Sequence, residues 1–302
     1  MIGMAQVAER LFNQPLAVSE RTAVALDWLI ARAVGGPVSL TLPSGEHRVI
    51  RPQAGTLDDR IGRSYDAARV QPYSMVDGVA VITIEGALVH KGGWIGQSCG
   101  LTSYQGLQAQ VVRAAADSGV RGVVFEVDSG GGEISGVADT ADLIYRLSQV
   151  KPTMAILTDA AYSAAYWLAS QARKIVVPEN GGCGSIGCLM LHMDMSGACD
   201  EAGVKVTVLT AGAHKGDGWP YAPLGDDVAA RIRADLEAMR QVFAGHVARG
   251  RGKAIDKAGV LKTEALDYRG REAVRIGLAD IVGNPHDAFA AFREAVNKRG
   301  TA

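Results

Sequence analysis

Gly122-Val123-Val124-Phe125-Glu126-Val127-Asp128-Ser129-Gly130-Gly131-Gly132 is the stretch from which the fold can be read. Three of its first six residues are valine and a fourth is phenylalanine, the composition of a strand. Three consecutive glycines follow. Glycine leaves backbone N–H groups uncovered by side chains and tolerates positive φ, so the spacing predicts a strand that ends in a tight, exposed turn before a helix at 134–149. The pattern then repeats outward. Strands are predicted at 79–84, 153–157, 174–177 and 205–209, with another beginning near Ile186. Helices are predicted from the cap Ser103 to about Asp117, from Tyr162 to Ala172, at 196–202, and from Asp226 to about Val247 with Val228, Ile232, Leu236, Met239 and Phe243 on one face. Strand–helix alternation at this spacing predicts an α/β domain with a mostly parallel sheet.

Residues 1–75 read differently. Ser19 precedes a helical period over 20–31, and Val38–Leu42 and His47–Ile50 flank Pro43-Ser44-Gly45 as a hairpin would. Residues 52–75 read as a linker. The chain divides into an N-terminal extension at 1–75, a main domain at 76–285 and a C-terminal helix at 286–302.

The 302 residues carry a net charge of −1, which excludes a global electrostatic attraction to nucleic acid or an acidic membrane. Four cysteines in a chain this long make no disulfide framework, and Cys183 and Cys188 lack the partners of a metal clip. No run approaches the roughly 18 apolar residues of a membrane span, and the N-terminus lacks a signal peptide's pattern. A cytoplasmic protein without metal or other cofactor is expected.

Two further segments carry chemistry. Ala161-Tyr162-Ser163-Ala164-Ala165 follows a strand and opens a helix, displaying Ser163 as a hydrolase elbow displays its nucleophile; taken alone it also fits an ordinary helix cap. Gly212-Ala213-His214-Lys215-Gly216 offers a base. A lysine serves if burial away from water keeps it neutral, although a lysine in a glycine-rich loop is usually a solvated charge. His214 is the rival base. The glycine loop at 128–132 could hold a tetrahedral oxyanion on its N–H groups or pair with an extended peptide, or be only a turn.

Other motifs are set aside. Gly182-Cys183-Gly184-Ser185-Ile186-Gly187 has the dinucleotide-binding spacing, but no helix or acidic residue follows in the right place. Ser148-Gln149-Val150-Lys151 runs straight into Pro152. Arg249-Gly250-Arg251-Gly252-Lys253 reads as a solvated basic loop after the long helix.

In order and type these segments resemble the signal peptide peptidase A-like serine peptidases. Asp128–Gly132 is similar to that family's N-S-P-G-G, Ala161–Tyr166 to its small-small-Ser-Gly-Gly-aromatic, Cys183–Gly187 to its T-G-S-I-G, Gly212–Lys215 to its G-K-Y-K, and Gly270–Ala273 with Gly277–Asp280 to its Gly-x-x-Ala…Gly-Leu-Val-Asp. The resemblance covers roughly 78–283. It implies a ClpP/crotonase-like superhelix of β-β-α units with a mostly parallel sheet, plus the N-terminal extension. It makes Ser163 the nucleophile, Lys215 the general base, Ser185 the hydroxyl that orients the lysine, and Gly131 with Gly132 and Ala164 the oxyanion and substrate contacts. Arg10–Leu16 is similar to the phage branch, the head maturation proteases, which implies scaffold, portal or capsid protein as substrate, homo-oligomers, no nucleic acid or membrane span, and action in the host cytoplasm or prohead. Some members carry a C-terminal scaffold extension, expected to be absent or removed here. A general cytoplasmic peptidase, a non-catalytic assembly protein keeping the fold, and a crotonase-type acyl-CoA enzyme are the alternatives.

Overall fold

A computed structural model describes residues 16–18, 38–41, 47–50, 60–92, 95–98 and 100–299. The elements in chain order are β1 (Leu16–Val18), β2 (Val38–Thr41), β3 (His47–Ile50), α1 (Arg60–Ala67), β4 (Ser74–Val76), β5 (Val79–Val89), β6 (Gln97–Ser98), β7 (Leu101–Ser103), α2 (Tyr104–Ala116), β8 (Gly122–Glu133), α3 (Val137–Val150), β9 (Thr153–Tyr162), α4 (Ala164–Ala169), β10 (Lys174–Val177), β11 (Gly182–Gly184), α5 (Ser196–Glu201), α6 (Asp226–Arg251), α7 (Lys257–Leu261), β12 (Asp267–Arg269), α8 (Gly270–Arg275), β13 (Ile281–Val282) and α9 (Pro285–Arg299).

The main sheet runs β12-β11-β9-β8-β5-β7-β6. Its central pairs, β5 with β8, β8 with β9 and β9 with both β10 and β11, are parallel. The predicted parallel core is thus present. Both faces of the central strands are covered, as parallel sheets require. One face packs on Leu107, Ile144, Leu147 and Trp167 of the helices; on the other, Val79, Val124 and Ile156 meet Phe292 and Val296 of α9. Ser103 caps α2 as expected, its side chain accepting the Gly106 N–H at 3.0 Å.

The largest departure lies in the stretch that opened the reading. β8 does not stop at Val127. It continues through the glycines to Glu133, pairing with β5 on one edge and with β1 on the other. Gly132 is why it can. A Cβ there would lie 1.9 Å from the Leu88 carbonyl oxygen, so only glycine lets the backbones approach this closely. The stretch taken for a turn is an extended strand end.

Other expectations shift. β2 and β3 pair as the predicted hairpin. The helix expected over 20–31 lies outside the described residues. The 52–75 linker contains α1, which Arg113 ties down through Asp66 at 2.5 Å. Residues 205–209 are not a strand, and from Ile186 to Met195 only isolated bridges form. The long helix runs on to Arg251, so the basic cluster is not a solvated loop. Arg249 lies over the Tyr145 ring and pairs with Asp142 at 2.7 Å, while Arg251 is buried against Asp280 at 2.9 Å. Lys151 binds the Ala114 and Asp117 carbonyls at 2.7 and 2.6 Å, a helix C-cap. Among the described residues no helix is long and apolar enough to cross a membrane.

Candidate active site

Ser163 stands where β9 turns into α4, with φ 54° and ψ −122°. Such a conformation is strained for a residue with a Cβ, costing about 1–3 kcal/mol, and persists only where the surroundings impose it. Here they do. The Ser163 N–H donates to the Gly184 carbonyl at 2.8 Å, and its own carbonyl accepts the Trp167 N–H at 2.9 Å. The turn sits in a bed of small residues, Ala161, Ala164 and Ala165, all fully buried. An ordinary N-cap has extended backbone and a side chain bonded to the helix. Ser163 has neither, and its buried Oγ has no hydrogen-bond partner among the described residues.

Ser185 lies beside it. β11 runs parallel to β9 with Gly184 opposite Tyr162, so each serine is the next residue after a registered pair. Ser185 also has φ 54°, and its N–H donates to Leu266 at 3.2 Å. The glycines with the dinucleotide spacing serve this packing. A Cβ on Gly182 would meet the Tyr162 hydroxyl at 2.2 Å, on Gly184 the Leu266 carbonyl at 2.7 Å, and on Gly187 the Ala265 Cβ at 2.8 Å.

The glycine strand passes close by. Ser129 is paired with Ala161, two residues before Ser163. Gly131, with φ 106°, donates its N–H to the Ser129 Oγ at 3.1 Å, and that hydroxyl in turn donates to the Gly86 carbonyl at 2.6 Å. An oxyanion on Gly131 would have to take this N–H from Ser129. The sequence places Ser129 only within the glycine loop; the tertiary contact with Gly86 makes it the clasp of the strand end. At the preceding position burial, then the neighbouring Asp159, pushes the Asp128 carboxyl up from its ordinary range.

No hydrogen bond joins Lys215 to the Ser163 Oγ among the described residues. Lys215 is exposed, in a segment whose bonds run to its own neighbours and to α6. Its N–H donates to Gly212 at 3.2 Å. His214, the rival base, meets Asp217 at 3.1 Å, and Asp217 also pairs with Arg231 of α6. Near by, the Met195 N–H reaches Pro220 at 2.7 Å and His192 reaches the Trp219 carbonyl at 3.2 Å. This segment shows apolar side chains to water: Leu209 is 91% exposed and Val204 52%. The first half of α6 is only half-buried at Val228, Ile232, Leu236 and Met239, whereas Phe243, Ala244 and Val247 are fully buried.

Its second half is anchored beneath the serine. The Trp167 ring stacks on Phe243 with centroids 4.3 Å apart, and its Nε1–H donates to His246 Nδ1 at 3.0 Å. Tyr166 donates its hydroxyl to the Leu278 carbonyl at 2.7 Å. Asp280 Oδ2 accepts from Arg251 at 2.9 Å and from the Ile175 N–H at 2.7 Å. Burial pushes the Asp280 carboxyl up, but the Arg251 bond and charge, with the Ile175 N–H and Lys174, outweigh it and hold the group below its ordinary range.

Known proteins resemble this chain in sequence. The chain is 35% identical over 295 residues to the head-tail preconnector protein GP5 of Enterobacteria phage P21, covering 97% of this chain and 58% of that protein. It is 33% identical over 294 residues to the capsid assembly protease C of Escherichia phage lambda, covering 97% and 66%. The chain therefore spans about 58–66% of the length of these relatives. A solved ClpP1 variant from Listeria monocytogenes aligns at 14% identity with a TM-score of 0.40 over 68% of this chain and 92% of that one. The profile of Peptidase family S49 matches residues 145–299, which include Ser163, Ser185, Lys215 and Asp280. On that match, over more than half of its residues, the chain belongs to Peptidase family S49.

Proposed function

We propose that this chain is a serine endopeptidase of phage head maturation, with Ser163 as nucleophile and Lys215 as general base. The observation that carries the reading is the Ser163 elbow: a strained serine backbone with a buried Oγ that bonds to nothing among the described residues. A structural serine would have satisfied that hydroxyl. In the proposed reaction the base takes the Ser163 proton as Oγ attacks a peptide carbonyl. The backbone N–H of Gly131, taken over from Ser129, receives the oxyanion with Gly132 as its neighbour, and Ser185 orients the amine. The base protonates the leaving amine, and water hydrolyses the acyl-enzyme.

The lysine comes from a second copy in this reading. Lys215 is exposed in its own chain and lies in a segment rich in unburied apolar side chains, which suits a surface that another copy covers. Homo-oligomerisation would then desolvate the amine and complete the site in one step. The proposed substrates are extended segments of scaffold, portal or capsid protein, by likeness to the lambda and P21 relatives. The place of action is the prohead within the host cytoplasm. The division at 75/76 and 285/286 is part of this proposal, with 76–285 as the peptidase unit.

The test is incubation of the cognate scaffold and portal proteins with wild type, Ser163→Ala and Lys215→Ala, with fragment masses read out. Discrete fragments from wild type alone are expected. Full processing by Ser163→Ala would refute the assignment.

A further inference from the structure

The edge of β8 that faces the nucleophile is already occupied, and by the chain itself. Along that edge β8 pairs first with β9, Val127 opposite Leu157 and Ser129 opposite Ala161. It then pairs with β1, Gly131 opposite Val18, Gly132 opposite Ala17 and Glu133 opposite Leu16. The change of partner happens at Ser163. Two residues past Ala161, where β9 would have stood opposite Gly131, the chain turns away into α4. β1 takes up the vacated edge at that level, about 7 Å along from Ala161 at the usual rise of a strand. β9 and β1 meet at the elbow from opposite sides.

Direction adds a second observation. β9 is parallel to β8 and β1 is antiparallel. β1 therefore runs toward the elbow, with Val18 leading and Leu16 trailing. A polypeptide that presents a carbonyl to Ser163 from the acyl side needs this polarity, with the residue before the scissile bond nearest the serine and the earlier residues paired outward along β8. Strand addition to an open sheet edge is also the mode by which extended peptides gain affinity from main-chain hydrogen bonds. The closed state of the serine agrees: Ser163 has no exposed surface.

We infer that the Gly131–Glu133 edge of β8 is a peptide-docking surface whose occupant in the resting chain is its own segment Leu16–Val18. This segment holds the place of the three substrate residues before the cleaved bond. Another polypeptide gains the site only by displacing it. The inference rests on the proposed role of Ser163 for its consequence in catalysis, but the docking itself is measurable without any turnover.

The experiment uses full-length protein and the full-length double variant Ala17→Pro/Val18→Pro. Adjacent N–H groups of a strand face opposite edges, so one of the two prolines removes a ladder bond to β8. Amide exchange is followed on peptides covering 129–136, and covalent labelling of Ser163 by a fluorophosphonate is timed in parallel, with Ser163→Ala as blank. Exchange within the peptides covering 129–136 should quicken at least several-fold in the double variant, labelling should quicken with it, and an added acetylated peptide of residues 12–18 should reverse both. Unchanged exchange in a variant whose melting temperature matches wild type would overturn the inference, as would exchange that the added peptide leaves unslowed. If exchange responds as expected while neither protein is labelled, the docking surface stands and it is the nucleophile assignment that fails.

Discussion

Ser163 and Ser185 share a φ of 54° and stand side by side, because the Ser163 N–H donates to the carbonyl of Gly184 at 2.8 Å. One hydrogen bond thus couples the proposed nucleophile to the strand that carries its neighbour. Gly184 itself has φ 121°. The two serines are separated by 22 positions in the sequence, and only the parallel pairing of β9 with β11 makes them neighbours.

Gly184→Ala therefore disturbs both serines at once. Its Cβ would sit 2.7 Å from the Leu266 carbonyl, on a backbone that disfavours side chains. The expected cost is about 1–3 kcal/mol of stability, with a larger proportional loss of function. Thermal melting and the rate of fluorophosphonate labelling check it; an unaffected labelling rate would count against the coupling.

Mixing tests whether the dyad is shared between copies. Ser163→Ala and Lys215→Ala should each be inactive alone. Unfolded and refolded together, they should regain a fraction of wild-type cleavage, since some serines then meet a lysine from the other variant. Two inactive proteins that stay inactive when mixed, while still assembling, would place the lysine elsewhere.

Acid should loosen α6 before the rest of the fold. His246 is held below its ordinary pKa by burial, then by the Arg249 charge, with Asp142 opposing. Its Nδ1 accepts the Trp167 N–H and can do so only when unprotonated. The folded pKa lies below the unfolded value, so stability is full above about pH 6.5 and is lost as pH falls through the folded pKa. Tryptophan emission and melting temperature followed from pH 7.5 to 5 should show a step that His246→Gln removes.

Asp280→Ala should cost about 3 kcal/mol, the lower end for breaking a buried ion pair, because Asp280 keeps some contact with water. The Arg251 side chain is 2% exposed and would be left as an uncompensated buried charge. The depressed Asp280 carboxyl also predicts the direction with pH: its contribution is present above its unfolded value near 3.8 and is lost as acid protonates it. Denaturant titration of wild type and variant at pH 7 and pH 3 should show the gap narrowing in acid.

Much of the architecture was legible in the linear pattern. Apolar β-branched runs and their spacing predicted β5, β8, β9 and β10, and the period of α6 was visible because its buried face repeats each turn. The runs at 186–193 and 205–209 read like strands but remain irregular: Ile186 is buried in the core, whereas Leu191, Met193, Val206, Val208 and Leu209 stay exposed, and an apolar pattern alone does not supply the partner that would bury them. The 249–253 cluster misled for a related reason: formal charge does not show that Arg251 has Asp280 waiting 29 residues away.

By itself the sequence determined the chemistry on offer: a serine among alanines at a strand end, a lysine in a glycine loop, and glycines enough to let backbones touch. These follow from local sterics and composition, which neighbouring residues carry in full. The tertiary structure decided what meets what. It paired β11 with β9 to set Ser185 beside Ser163, gave the Gly131 N–H to Ser129, left Lys215 exposed, and laid residues 16–18 along β8. Such contacts join positions far apart in the chain, and their free energy comes from strand pairing and burial that no local window contains.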